Sequence, residues 1–231
     1  MRLYIIRHGD PDYANDCLTE TGQVEAAALG EYMATIGLDR LYCSPLGRAR
    51  QTAAPIAAET GLEARVLEWT RELPYLPVVE DRLSYWDIHG HLIRHPEYLT
   101  DPRQWNVIAP FAAVPLDKMF HSVVEKSDEF LASLGYERQN GVYAVHQSNT
   151  WKVAVVCHGA FGLLWLAHLL AIPLPLMWAG FYLHPTSITT VLFDERTPGV
   201  ATPRCIGLGE TPHLHQKRIP LSRMGIHGNY W

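Results

Sequence analysis

Val153-Ala154-Val155-Val156-Cys157-His158-Gly159 is the stretch whose reading decides the fold. An unbroken apolar run with three β-branched valines has no polar face, so it belongs inside a sheet covered on both sides, as parallel strands are. It stops abruptly at a His-Gly pair. Near the amino terminus Leu3-Tyr4-Ile5-Ile6 does the same, ending in Arg7-His8-Gly9. Two buried strands that each deliver polar residues at the carboxyl end place, if they share one parallel sheet, two imidazoles and a guanidinium in a single crevice. In open α/β sheets that edge is where ligands bind.

Reading outward, Thr19 caps a helix with apolar positions Val24, Ala28, Leu29, Met33 and Ile36, and Gly37 stops it. Arg40 to Cys43 reads as a second strand, Pro45 suits a first helical turn, and a helix runs through Ala58 to end near Gly61. A brief strand over Ala64 to Leu67 precedes a stretch from Pro74 to Pro115, rich in Pro, Trp, Tyr and His, that reads as an insertion or lid. Helical spacing resumes from Pro115 to Leu134, closed by Gly135, and Asn140-Gly141 marks a tight turn. A buried helix from Gly159 to about Ile172 follows, then strands over Ile188 to Phe193 and Val200 to Ile206, then an irregular segment from His213 to Trp231. The expectation is an α/β fold: one domain over residues 1–231, a three-layer αβα sandwich with a mostly parallel central sheet and the lid at about 74–115.

With 231 residues, 48% hydrophobic and 19% charged, the chain is long and apolar enough for a sizeable core. A net charge of -5 provides no field for nucleic acid or an anionic membrane, so any anion must be gripped locally. Nothing between Lys152 and Asp194 is formally charged, but Pro173 and Pro175 interrupt that span before a membrane helix could complete roughly 20 residues. The span reads as core or as a face for a homodimer. Arg7 and His8 come too early for a signal peptide. Four scattered cysteines without a C-x-x-C pair indicate a reducing, cytoplasmic setting.

Between the two His-Gly pairs, Ser44-Pro45-Leu46-Gly47-Arg48-Ala49-Arg50-Gln51-Thr52-Ala53 adds another strand end, a helix amino terminus and two arginines to the same edge. Backbone N–H groups and the helix dipole favour an anion there, and guanidinium forks suit phosphate or carboxylate. A cysteine phosphatase requires Cys, five intervening residues and then Arg; the residue at that place is Ala49 for Cys43 and Leu163 for Cys157. G-x-x-x-x-G-K-[ST] and G-x-S-x-G are absent. His89, His91 and His95 are spaced closely enough for zinc, though no carboxylate or cysteine stands among them. Tyr75, Tyr85, Trp86, Tyr98 and Trp105 either line a substrate mouth or form the insertion's own small core.

Arg-His-Gly after the first strand, Leu18-Thr19 with Gly22, the Ser-Pro-Leu-x-Arg-Ala-x-Gln-Thr-Ala run and the late His-Gly, in that order, resemble the histidine phosphatase superfamily, phosphoglycerate mutase-like branch. The resemblance implies that His8 is the nucleophile, that Arg7, Arg48 and His158 hold the phosphoryl group, and that Glu72 donates the proton, with Asp87 or Glu80 as substitutes. Arg50 falls at a variable position and reads as a helix-surface charge. After Gly9 the family usually has a Thr and then an Asn; here Asp10-Pro11-Asp12-Tyr13-Ala14-Asn15 stands instead, which disfavours a mutase. The expected activity is metal-independent, cofactor-free hydrolysis of small phosphate monoesters through phosphohistidine on His8. Rivals are a phosphoglycerate mutase-type phosphotransferase, a non-catalytic phosphate-binding protein, and a zinc hydrolase built on His89, His91 and His95.

Overall fold

The computed structural model describes residues 1–76, 84–94, 111 and 114–226. Strand β1 (Arg2–Arg7) leads into a two-stranded hairpin, β2 (Pro11–Asp12) and β3 (Cys17–Leu18), and then helix α1 (Glu20–Ile36). Strand β4 (Arg40–Cys43), helix α2 (Gly47–Thr60) and strand β5 (Ala64–Val66) complete the first half. A 3-10 turn, Glu68–Thr70, and the short helix α3 (Gly90–Ile93) precede α4 (Leu116–Ser133). The chain continues through β6 (Tyr136–Gln139), β7 (Val142–Val145), β8 (Lys152–Cys157), α5 (Gly159–Leu170) and α6 (Leu174–Gly180), then β9 (Ile188–Thr197), β10 (Val200–Glu210) and α7 (Pro212–Lys217).

Eight strands form one sheet in the order β5-β4-β8-β1-β9-β10-β7-β6. From β5 to β1 the pairings are parallel, and from β1 to β6 they are antiparallel. The sheet is therefore mixed, and its parallel half carries the two His-Gly strands side by side. Register fixes their relation: Arg7 pairs with Cys157, and the His8 amide donates to the Cys157 carbonyl at 2.9 Å.

Period-2 alternation assigns each strand residue to one of two cores. Leu3, Ile5, Val153, Val155 and Cys157 face the larger one, with α4, α5 and α6. Tyr4, Ile6, Ala154 and Val156 face the smaller one, with α1 and α2. Both cores are built from buried apolar side chains, which is why neither strand shows a polar face and why the sandwich has three layers. Ten of the twelve α5 residues are buried, so that part of the uncharged span is core, while Phe181 further along it is exposed. No described helix is long and apolar enough to cross a membrane.

Capping follows the sequence at α1: Thr19 Oγ1 accepts from the Gly22 amide at 3.0 Å, and Gly37 ends the helix at φ +72°. Three local readings need correction. Pro45 lies before α2, whose first residue is Gly47. The segment after His213 is not wholly irregular, because Pro212 starts α7 and fits a first turn. Asn140-Gly141, both at positive φ, join β6 to β7, two strands missing from the reading above.

Gly22 sits where the loop after β1 crosses the first turn of α1. A Cβ there would lie 2.2 Å from the Asp10 carbonyl oxygen, a backbone contact that no rotamer change relieves. Gly22→Ala should therefore lower stability by about 2–3 kcal/mol, read as a fall in the thermal midpoint. A midpoint within a degree of wild type would show that the loop yields freely.

Candidate active site

The carboxyl ends of β1, β4 and β8 bring His8, Ser44 and His158 together. The His8 and His158 rings lie 5.1 Å apart between centroids, and their residues are 1% and 0% exposed. His8 Nδ1 is 2.7 Å from the Gly9 carbonyl oxygen, so Nδ1 carries the hydrogen. Its Nε2 then has a lone pair, which accepts from Arg48 Nε at 3.2 Å. His158 Nε2 is 2.7 Å from Ser44 Oγ, while its buried Nδ1 has no partner. Burial lowers both imidazole pKa values well below the ordinary range. Arg7 and Arg48 push His8 further down, and the His8 ring together with both arginines does the same to His158.

The motif residues around Arg48 each tie the loop to α2. Gln51 Oε1 accepts from the Leu18 amide at 2.7 Å, and Thr52 Oγ1 accepts from the Gly9 amide at 3.0 Å. Arg50 lies on the exposed side of the helix. Asp16, which sequence reasoning missed, bonds the Gly47 amide at 2.7 Å with one oxygen and Arg48 Nη1 at 2.6 Å with the other. One carboxylate thus caps α2 and aims Arg48. Arg48 also stacks over the Tyr13 ring at 5.3 Å.

Arg7, 6% exposed, is held from the other side of the sheet. Its Nη1 donates to the Leu183 carbonyl at 2.5 Å and to Tyr182 Oη at 3.3 Å, while its buried Nε has no partner. Arg7 Nε and His158 Nδ1 are therefore two buried side-chain nitrogens without a partner in one cluster, the pattern expected of donors built for an external acceptor. The His8 carbonyl is fixed by the Thr186 amide at 3.1 Å, with Thr186 held at φ +57°. That is a costly conformation for a β-branched residue.

Glu72 follows the turn containing Trp69, whose ring packs edge-on against Phe161 at 5.6 Å and Trp165 at 5.1 Å. This aromatic contact docks the segment on α5. Glu72 Oε1 accepts from the Leu73 and Phe161 amides at 3.0 and 2.9 Å, and Oε2 from the Ala160 amide at 3.3 Å. Burial raises its pKa, and this outweighs the opposing pull of those amides and of Arg7 and Arg48. Arg7, Arg48, Glu72 and Asp87 all line one cavity of about 670 Å³. Glu80 and His95 lie outside the described residues. The His89 and His91 rings are 5.9 Å apart, and among the described residues no three His, Cys, Asp or Glu side chains gather as metal ligands. Tyr75 and Trp86 line the cavity, whereas Tyr85 is fully buried behind them; Tyr98 and Trp105 lie outside the described residues.

Glu25 on α1 is a second buried carboxyl that sequence reasoning missed. It is 0% exposed, its Oε2 accepts from the Asp10 amide at 2.8 Å, and Oε1 has no partner. Burial, reinforced by Asp10, raises its pKa to about 7. The folded protein therefore holds a proton that the unfolded chain loses near the ordinary 4.5. Stability should fall as pH rises between those values and level off above them. Glu25→Gln keeps the acceptor and removes the charge, so at pH ~8 it should stabilise by about 1–3 kcal/mol, or roughly 5 °C, and near pH ~4.5 by almost nothing. An equal gain at both pH values would rule out titration as the cause.

The sequence profile of the histidine phosphatase superfamily (branch 1) matches residues 3–205. An adenosylcobalamin/alpha-ribazole phosphatase of Salmonella typhi is 24% identical over 187 residues, 77% of this chain and 84% of that protein. A probable phosphatase of Schizosaccharomyces pombe is 29% identical over 101 residues, which span 39% of this chain and only 43% of the yeast protein. Among solved structures, phosphoserine phosphatase of Entamoeba histolytica in complex with 3-phosphoglyceric acid superposes with a TM-score of 0.62 at 23% identity, covering 92% of this chain and 98% of that one. A mycobacterial glucosyl-3-phosphoglycerate phosphatase with inorganic phosphate gives 0.60 at 20% identity, covering 92% and 98%. The two likenesses in structure agree with the mixed sheet and its flanking helices, and the profile match extends from β1 into β10. The chain belongs to the histidine phosphatase superfamily, branch 1.

Proposed function

We propose that this protein is a metal-independent phosphatase that passes the phosphoryl group of a small phosphate monoester through His8 Nε2 to water. The observation that carries this reading is the tautomer of His8. With Nδ1–H held by the Gly9 carbonyl, the Nε2 lone pair points at Arg48, among the unpartnered nitrogens of Arg7 and His158. A neutral imidazole at neutral pH is the nucleophile that phosphoryl transfer needs, and fixed cations around it match the equatorial oxygens.

In the first step Nε2 forms a bond to phosphorus as the bond to the ester oxygen breaks, and the Glu72 carboxyl proton goes to the departing alkoxide. A hydrogen bond to Nε2 and a bond from Nε2 to phosphorus exclude one another, so the Arg48 Nε–H shifts to a phosphoryl oxygen as attack proceeds. In the second step water bonds to phosphorus, its proton goes to the Glu72 carboxylate, and the N–P electron pair returns to Nε2. Rapid quenching with a labelled ester should find acid-labile, base-stable phosphate on His8. Label on a Ser, Thr or Cys would overturn the reading. The four cysteines are free thiols, which supports the cytoplasmic setting we propose.

The pH profile follows from two shifts of opposite sign. His8 must be neutral, which fails only below its lowered pKa; Glu72 must be protonated for the first step, which fails above its raised pKa. kcat/KM should be bell-shaped, with its acid limb set by His8 and its alkaline limb by Glu72. Glu72→Gln should cost about 100-fold with an alkyl ester and remove the alkaline limb. With p-nitrophenyl phosphate, whose leaving group needs no proton, the loss should be much smaller. An unchanged alkaline limb would transfer the acid role to another group, with Asp87 the described alternative.

A further inference from the structure

The cavity lined by Arg7, Arg48 and Glu72 is also walled by Leu73, Tyr75, Trp86, Leu163, Trp178 and Phe181. We propose that the leaving group is a bulky, largely apolar alcohol without a second anionic group; this rests on the phosphatase reading above. Three observations carry it.

The wall is built and held in place. Trp86 packs edge-on against Tyr75 at 6.4 Å and against Tyr85 at 4.8 Å, and Tyr85 in turn packs against Trp178 at 5.5 Å. Tyr85, fully buried, backs both indoles. Trp178 Nε1 donates to the Ala160 carbonyl at 3.1 Å, so its one polar atom is used and the ring offers the cavity an apolar surface. Such a surface rewards aromatic or aliphatic bulk and returns little to a hydroxylated or charged chain.

Charge is the second observation. Arg7 and Arg48 are the cations among the described lining residues, and both belong to the phosphoryl end. The other ionisable side chains there, Glu72 and Asp87, are carboxyl groups. A carboxylate on the leaving group, as in a phosphorylated glycerate or serine, would enter a largely apolar enclosure beside carboxyl groups, with no third cation among the described lining residues to meet it. The third is size. A cavity of about 670 Å³ lies in the range that encloses ligands much larger than a three-carbon acid.

Ethyl phosphate, 2-phenylethyl phosphate and 3-phosphoglycerate are all esters of alcohols rather than phenols, so preference among them reports the cavity more than the reactivity of the bond. kcat/KM for 2-phenylethyl phosphate should exceed that for each of the others by at least about tenfold, since even one methylene in an apolar pocket is worth roughly that much. Trp86→Ala should reduce the phenylethyl-to-ethyl ratio by about tenfold. Binding of the same three esters to the His8→Ala variant gives a readout independent of turnover and should rank them in the same order. Equal or higher kcat/KM for 3-phosphoglycerate, or a ratio indifferent to Trp86→Ala, would overturn the proposal while label on His8 left the phosphatase reading standing. Tight, selective binding of the phenylethyl ester with no label on His8 would do the reverse.

Discussion

His8→Ala should abolish turnover, lowering kcat by roughly 10⁵-fold or more, as the loss of a nucleophile does elsewhere. The size of the effect comes from the absence, among the described residues, of a substitute in place. His158 shares the cluster, but its Nε2 is engaged with Ser44 Oγ, and both rings are buried and fixed by strand ends rather than free to exchange roles. Arg7, Arg48 and His158 stay in the variant, so inorganic phosphate should still bind, and more readily where the Arg48 Nε–H is released from Nε2. The control is therefore built in: phosphate affinity within a few-fold of wild type, with the thermal midpoint largely kept, shows an intact site lacking its chemistry. A variant retaining a hundredth of wild-type turnover would remove His8 from the centre of the mechanism.

The parts of the molecule legible in the sequence are those whose burial repeats. β1 and β8 are apolar on both faces because both layers of the sandwich cover them, and a run of that kind announces itself. β6 and β7 are not legible in this way: Tyr136 and Tyr143 are buried, but Glu137, Gln139 and Val142 are exposed. Two four-residue strands with one covered face carry too short a pattern to register, and only the Asn140-Gly141 turn shows. The same contrast runs through the site. His8, Arg7, Arg48 and His158 lie at strand ends or open a helix, so spacing placed them at one edge, while the resemblance to the family singled out Arg48 from Arg50. Tyr182 reaches Arg7 across 175 residues, Asp16 reaches Arg48 across 32, and Thr186 supports the His8 carbonyl from an unfavourable backbone conformation. These meetings depend on how distant loops close, and local periodicity contains no information about them. Glu25 illustrates the remaining gap: its place on α1 predicts a helix face, whereas its burial under the Asp10 amide follows from where the loop after β1 crosses.

Arg48→Ala should lower kcat/KM by about 10³- to 10⁴-fold, the range for a guanidinium that meets charge developing on a transferred phosphoryl group. The geometry makes most of this a transition-state effect. Arg48 is 7% exposed, its Nη1 is clamped by Asp16, and its Nε donates to His8 Nε2, the nitrogen proposed to attack, at 3.2 Å. The guanidinium is thus already oriented before reaction and needs only to pass one N–H from Nε2 to an oxygen, so little reorganisation opposes it. Arg48→Lys keeps the charge but loses the fork: one ammonium cannot both reach Asp16 and stand beside Nε2 in the same plane, and recovery should be partial, leaving about a 100-fold deficit. Asp16→Asn tests the clamp separately. Its amide can still accept from the Gly47 N–H, so α2 stays capped, while Arg48 loses its ionic anchor and kcat/KM should fall by roughly tenfold with little change in thermal midpoint. Should Arg48→Ala reduce phosphate binding and kcat/KM by the same factor while leaving kcat intact, Arg48 would be a binding group only, and the proposed transfer of its N–H during attack would be wrong.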